Sequence, residues 1–298
     1  MSIFNQITNY GKMVKFSHTL FALPFAGLSL ILSLKNSELT KEDFIIKSIL
    51  VLICMVSARN AAMGFNRLID ADIDKLNPRT KNREIPAGVI NKKSVIIFII
   101  LFSISFIVST YFLNDFAFRA SIPTLMIVLG YSYTKRITWL CHYILGLGIG
   151  LAPTGAWVAL KGELDLLPVL FSGGLLFHIA GFDILYSTQD YKFDSESNLY
   201  SIPSKFGIEK SLLIAKLNHI ISVIFLVYAG VLGNLKYFYF LFLIIAVILF
   251  IIEHRMVNKD DLSKIPIAFF NINASISVVL FMGILLDNWS LLLRYLGD

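Results

Sequence analysis

Apolar residues fill this chain in long blocks, and polar residues collect in the short segments between them. A block of about 18 mostly apolar residues is long enough, as a helix, to cross the roughly 30 Å hydrocarbon layer of a bilayer, and a helix satisfies its own backbone groups there. The pattern predicts helices over 18–35, 46–69, 94–113, 117–134, 138–160, 165–188, 209–232, 236–254 and 265–287. Only Asn114 and Asp115 separate the third from the fourth, so one bent segment is an alternative there. Gly146, Gly148, Gly150 and Pro153 predict a kink in the fifth. The expected fold is all-α: a single integral-membrane domain over residues 1–298, built as a polytopic bundle of about nine transmembrane helices around a central cavity.

Composition agrees, with 56% hydrophobic and only 15% charged residues. The first apolar run follows Lys12 and Lys15 as a signal peptide would, but "FALPFAGLSL" offers no convincing cleavage site, so it is read as helix one. Cys54 and Cys141 both fall inside predicted helices, which argues against a disulfide. With the N-terminus in the cytoplasm, sixteen lysines and arginines fall on the cytoplasmic side and seven on the other. That asymmetry sets the orientation and accounts for most of the net charge of +6, so nucleic acid need not be invoked.

Charge is concentrated in "FNRLIDADIDKLNPRTKNREIPAG", residues 65–88, with three aspartates and five basic side chains. Asn66, Asp70 and Asp74 are spaced to stack along one helix face, with Arg59 on the same face and Asp72 elsewhere. Stacked oxygen-bearing side chains repel one another unless a cation neutralises them, and hard oxygen ligands suit Mg²⁺. The ordinary alternative is a solvated acidic loop. A second stretch, "GFDILYSTQDYKFDSESN", repeats the four-residue spacing in Asp190 and Asp194 and buries Asp183 up to two turns deeper. A charge at the centre of a membrane helix costs roughly 2.5–3.5 kcal/mol unless it faces a polar cavity or a partner. Both stretches are expected on the same membrane face, where two carboxylate clusters could hold Mg²⁺ ions and, through them, a diphosphate.

These motifs resemble the UbiA superfamily of intramembrane aromatic prenyltransferases. Its first signature, Asn-x-x-x-Asp-x-x-x-Asp, is matched by Asn66, Asp70 and Asp74, and its second, Asp-x-x-x-Asp, by Asp190 and Asp194. "NREIPAG", "YSYTKRITWL" and "FDILYSTQD" also match, and the similarity runs from about Lys15 to Gly207. One departure is Arg67, where many relatives carry Asp. "KFSHTLFALPFA" and "NRLIDADIDKLNPRT" resemble the 4-hydroxybenzoate polyprenyltransferase branch, some members of which are thought to use a dihydroxynaphthoate in the futalosine route to menaquinone.

The resemblance implies Mg²⁺-dependent transfer of a polyprenyl group from its diphosphate to an aromatic acid, in ubiquinone or menaquinone synthesis. It implies metal binding by Asp70, Asp74, Asp190 and Asp194, with Asp183 or Asp190 accepting the ring proton or orienting a phenol. Lys135 and Arg136 are expected at the diphosphate or an aromatic carboxylate, Arg59 at the other anion, and Arg83 near the diphosphate or capping the mouth. Tyr131, Tyr133, Phe182 and Tyr186 are expected to shelter an allylic cation. The partners implied are the two substrates and the lipid bilayer, with no nucleic acid and no protein partner. The expected setting is the bacterial inner membrane, with the site facing the cytoplasm.

The remaining polar residues read as structural. His18 and His178 are expected to bond neighbouring helices, as are Asn218, His219, Asn271 and Asn273. Pro24, Pro123 and Pro153 are expected to bend helices, and the α-helical glycines to permit close packing. A secondary transporter is the alternative of another class, but it needs polar residues along a path to both faces, and here they gather on one. A CDP-alcohol phosphotransferase would need one extended aspartate motif, which is absent.

Overall fold

The computed structural model describes residues 3–15, 21–35, 37–257, 262, 265 and 271–297, and all regular structure among them is helical. The helices are α1 (Ile3–Met13), α2 (Leu23–Ser33), α3 (Lys41–Ile69), α4 (Ala71–Leu76), α5 (Lys92–Tyr111), α6 (Asp115–Thr134) and α7 (Cys141–Lys161). They continue as α8 (Leu166–Ser187), α9 (Tyr191–Glu196), α10 (Ile202–Leu232), α11 (Tyr237–Met256), α12 (Asn273–Asp287) and α13 (Trp289–Gly297). Each of the nine predicted segments contains one of these helices, with ends that differ by a few residues; His18 and part of the first and last segments lie outside the described residues.

Among the described residues, six helical spans are long and apolar enough to cross a membrane, and α12 with α13, bent by 69°, makes a seventh if counted as one. The other two predicted segments are α2, with 11 residues, and α6, which carries Asp115 and Arg119. Large apolar side chains such as Ile97, Ile104, Met126 and Ile244 are exposed on the outside of the bundle, as a lipid-facing surface requires.

Side-chain caps set the helix starts. Thr40 accepts from the Asp43 amide, Asn91 from that of Ser94, and Asn114 from that of Ala117. The Asn114 cap begins a new helix, so the third and fourth segments are separate rods packed on each other. Ser201 and Ser204 form a reciprocal capping box that starts α10 at Ile202, seven residues before the predicted boundary. Within α10, Gly207 takes φ 80°, a conformation that L side chains rarely adopt, and interrupts the helix one turn after its start.

The core lies where α8 packs between α7 and α10, with α2, α11 and α12 closing one side. Phe25, Leu28, Phe171, Leu175, Ile179 and Tyr239 are among its fully buried members. Gly146 and Gly150 let α7 meet α8 closely, for a Cβ at Gly146 would sit 2.5 Å from the Leu176 carbonyl oxygen. Pro153 stands inside α7, and the next amide, on Thr154, donates to Ser172 Oγ of α8 at 3.2 Å. Interhelical bonds also join His178 Nε2 to Asn273 Oδ1 (2.8 Å) and Asn218 Nδ2 to Tyr143 Oη (3.0 Å), the role expected of these residues.

Candidate active site

The helical spacing of the first motif survives the end of α3. Asp70 caps that helix, its amide bonds the Asn66 carbonyl, and the Asp74 amide bonds the Asp70 carbonyl. Asn66, Asp70 and Asp74 therefore share a face, and Asn66 Nδ2 donates to Asp70 Oδ2 at 2.9 Å. Asp72 is exposed and pairs with Lys92, pointing away as its position predicts. The loop after α4 then turns back across the bundle. Asn77 Nδ2 and Arg79 Nε donate to Asp190 Oδ1 at 3.1 and 2.9 Å, Arg79 Nη2 reaches Asp190 Oδ2, and Arg79 Nη1 donates to Tyr186 Oη at 2.8 Å. One loop thus ties the first acidic motif to the second, more than a hundred residues away in sequence.

Each of the four motif aspartates faces its own cation. Arg136 Nη2 lies 2.8 Å from Asp70 Oδ1, Arg83 Nη1 lies 2.7 Å from both Asp74 oxygens, Arg79 forks onto Asp190, and Lys135 Nζ lies 2.8 Å from Asp194 Oδ1. Burial raises the Asp70 carboxyl above its ordinary value, with Arg136 only partly offsetting it. Burial works against the charge on Lys135 as well, but Asp194 and Asp190 hold it above the ordinary lysine value. Arg79 is likewise held charged, its Asp190 contacts outweighing burial.

Asn66, Asp70, Asp74, Asp183, Asp190 and their basic partners line one cavity of about 1070 Å³, while Asp194 is fully buried and is not among its lining residues. A second, mostly apolar cavity of about 270 Å³ runs on between α3, α5, α6 and α7. The two share Phe21, Arg59, Met63, Tyr131, Leu145 and Ile149, so a charged chamber opens directly onto an apolar one. Arg59 stands at this junction and donates to the Val14 and Lys15 carbonyls at 3.3 and 3.0 Å. The buried Arg67 donates to the Met13 carbonyl. Phe182 and Tyr186 line the charged chamber as expected. Tyr133 does not: two positions beyond Tyr131 it projects from another face of α6, is 43% exposed, and packs edge-on to Phe65.

Sequence reasoning missed three residues of this site. Arg79 and Asn77 were submerged in a loop whose basic charge topology alone would explain. His142, in the first turn of α7, has its Nδ1 2.7 Å from Asp183 Oδ2 and supplies the partner that a carboxylate at that depth requires.

The donor chemistry fits Mg²⁺: hard carboxylate oxygens from two facing motifs, with the Asn66 amide beside them. No three carboxylate, imidazole or thiol groups among the described residues converge tightly enough to hold an ion alone. Basic side chains fill that role, so a metal ion would enter together with an anion able to engage the cations it displaces.

Helices long and apolar enough to cross a membrane, around a charged chamber that opens onto an apolar one, mark an integral membrane protein able to hold an anionic group and a lipid chain side by side. The profile of the UbiA prenyltransferase family matches residues 22–275, and the chain belongs to that family of prenyltransferases. It is 27% identical to the 4-hydroxybenzoate octaprenyltransferase of Nitrosomonas europaea over 242 residues, covering 80% of this chain and 81% of that one. A ligand-free UbiA homolog from Aeropyrum pernix K1 superposes with TM-score 0.81 at 28% identity, covering 91% of this chain and 98% of the other. A UbiA homolog from Archaeoglobus fulgidus bound to DMAPP and Mg²⁺ shares the fold, with TM-score 0.70, 19% identity and coverage of 94% and 98%.

Proposed function

We propose that this protein, a single membrane domain, transfers a polyprenyl group from polyprenyl diphosphate to an aromatic acid of the 4-hydroxybenzoate type, in the synthesis of a respiratory quinone. The observation that carries this reading is the junction of the two cavities: two aspartate motifs with their cations on one side, an apolar cleft on the other. The name of the Nitrosomonas europaea relative supports the acceptor class, and the ligands of the Archaeoglobus fulgidus homolog support a metal-bound diphosphate. The basic excess of the loops on the site's side supports a cytoplasmic mouth, in a bacterial inner membrane.

Asp70, Asp74 and Asp190, which line the cavity, would hold Mg²⁺, with Asn66 orienting Asp70, and the buried Asp194 would join them once Lys135 turns to the diphosphate. When bound, the metal supplies electrostatic stabilisation of the departing diphosphate. Arg79, Arg83, Lys135 and Arg136, released from their aspartates, bind the diphosphate oxygens. Small side chains such as Ala58, Ala62, Ala152 and Ala156 leave room for the prenyl tail in the apolar cavity. Tyr131, Phe182 and Tyr186 shelter the allylic carbon as the bond to oxygen breaks. Arg59, at the junction, takes the acceptor carboxylate, and Asp183, on α8 seven residues before Asp190, faces the acceptor ring.

Purified protein with Mg²⁺ and polyprenyl diphosphate is expected to prenylate 4-hydroxybenzoate, with the product read by mass spectrometry. Product from 1,4-dihydroxy-6-naphthoate alone would move the enzyme to the futalosine branch. No product from either acceptor would overturn the reading.

A further inference from the structure

Asp183 differs from the other aspartates of the site in that no lysine or arginine among the described residues pairs with it. Its recorded partner is His142, through Asp183 Oδ2. The other imidazole nitrogen, Nε2, lies 3.2 Å from the backbone amide of Ile202, the first residue of α10. A backbone N–H can only donate, so Nε2 must present its lone pair. In the neutral ring the proton then sits on Nδ1 and is donated to Asp183 Oδ2, an assignment that follows from the two partners. His142 is 2% exposed and ties together the starts of α7 and α10 and the last turns of α8.

The consequence falls on the other carboxylate oxygen. Asp183 Oδ1 takes no hydrogen bond from the described residues, and the side chain is 24% exposed, in the wall of the charged cavity. Asp183 lies one turn before the end of α8 and seven residues before Asp190, which closes the 3-10 turn Thr188–Asp190, and helical rise places it about 10 Å deeper. It is therefore set apart from the level where Asp190 and Arg79 gather charge. A carboxylate oxygen fixed by His142, with no lysine or arginine on it among the described residues, suits a hydrogen-bond donor such as a hydroxyl better than an anion.

We propose that His142 is a positioning residue that aims Asp183 Oδ1 at the hydroxyl group of the aromatic acceptor, and that this pair makes the enzyme select acceptors with a free hydroxyl. This rests on the aromatic-acceptor reading above and names the contact that recognises the substrate. Hydrogen bonding from the hydroxyl to a carboxylate increases electron density on the ring, which favours attack by the ring carbon.

The test compares wild type, His142→Phe and His142→Gln as full-length protein in detergent with Mg²⁺ and polyprenyl diphosphate. Glutamine keeps one donor and one acceptor; phenylalanine keeps only volume. His142→Phe is expected to raise KM for the hydroxylated acceptor roughly 10- to 100-fold while KM for the prenyl diphosphate stays within about twofold. His142→Gln is expected to restore most of the acceptor affinity. The second readout is inhibition by 4-methoxybenzoate, which cannot donate: wild type is expected to bind it far more weakly than 4-hydroxybenzoate, and His142→Phe to lose the distinction. If His142→Phe does not fold, Asp183→Asn is expected to show the same loss of preference. Equal rises in both KM values, or an unchanged preference for the hydroxyl, would overturn the inference and leave the functional reading standing. If wild type prenylates neither 4-hydroxybenzoate nor 1,4-dihydroxy-6-naphthoate, the functional reading falls and the inference falls with it.

Discussion

Four aspartates in this site already face cations, and that arrangement fixes what single substitutions should do. Removing Arg79 leaves Asp190 with Asn77 as its remaining hydrogen-bond donor and takes a fork of donors from the diphosphate. Arg79→Ala is expected to weaken prenyl diphosphate binding roughly 10- to 100-fold and, with Asp190 freed, to tighten Mg²⁺ binding in the absence of diphosphate; calorimetry reads both. Weakening of both would show that Arg79 merely supports the loop. For Asp70, burial raises the folded-state pKa above that of the unfolded chain. The metal-free fold therefore binds the proton more tightly than the unfolded chain. Its stability should decline as pH rises from the ordinary aspartate range through the raised value. Asp70→Asn is expected to flatten that part of a Tm-against-pH curve. At this scale the aspartates were readable because their four-residue spacing holds through the end of α3 and again from the end of α8. Arg79 and His142 were not readable, because their partners are 111 and 41 residues away and no local pattern marks a contact made by folding.

Two glycines of α7 show how an element divides its faces. A Cβ at Gly146 would press on the Leu176 carbonyl of α8, whereas nothing lies within 4 Å of one at Gly155, which lines the apolar cavity. Gly146→Ala is expected to destabilise the bundle by about 1–3 kcal/mol, read as a lower Tm in detergent. Gly155→Phe is expected to fold normally and to fill the cleft, sparing turnover of a short prenyl diphosphate while cutting that of a long one at least tenfold. Equal turnover of both would place the tail elsewhere. The apolar blocks made the long helices readable. Helix α1 was not, since it is short and its apolar residues Ile3, Phe4, Ile7, Tyr10 and Met13 recur every three to four positions instead of forming a long apolar block; Arg59 and Arg67 hold backbone carbonyls at its end. Starts set by a polar cap, as at Ser201, were misplaced because hydrophobicity says nothing about capping.

At the scale of the molecule, the order of the long apolar helices follows from hydrophobicity, but the convergence of two motifs follows from packing. Contacts of α8 with both α7 and α10 bring the second motif against the loop that follows the first. The orientation expected from basic residues makes a further prediction: a cysteine at Lys81, exposed in that loop, should react with an impermeant maleimide only from the cytoplasmic side. The central claim is that both motifs serve one diphosphate. Its most direct test is a double-mutant cycle on binding of an unreactive prenyl thiolodiphosphate with Mg²⁺, using Asp70→Asn, Asp190→Asn and the pair. The account predicts that either substitution alone loses most of the binding and that the double variant loses little more. Independent, additive losses, or wild-type affinity in either single variant, would contradict it.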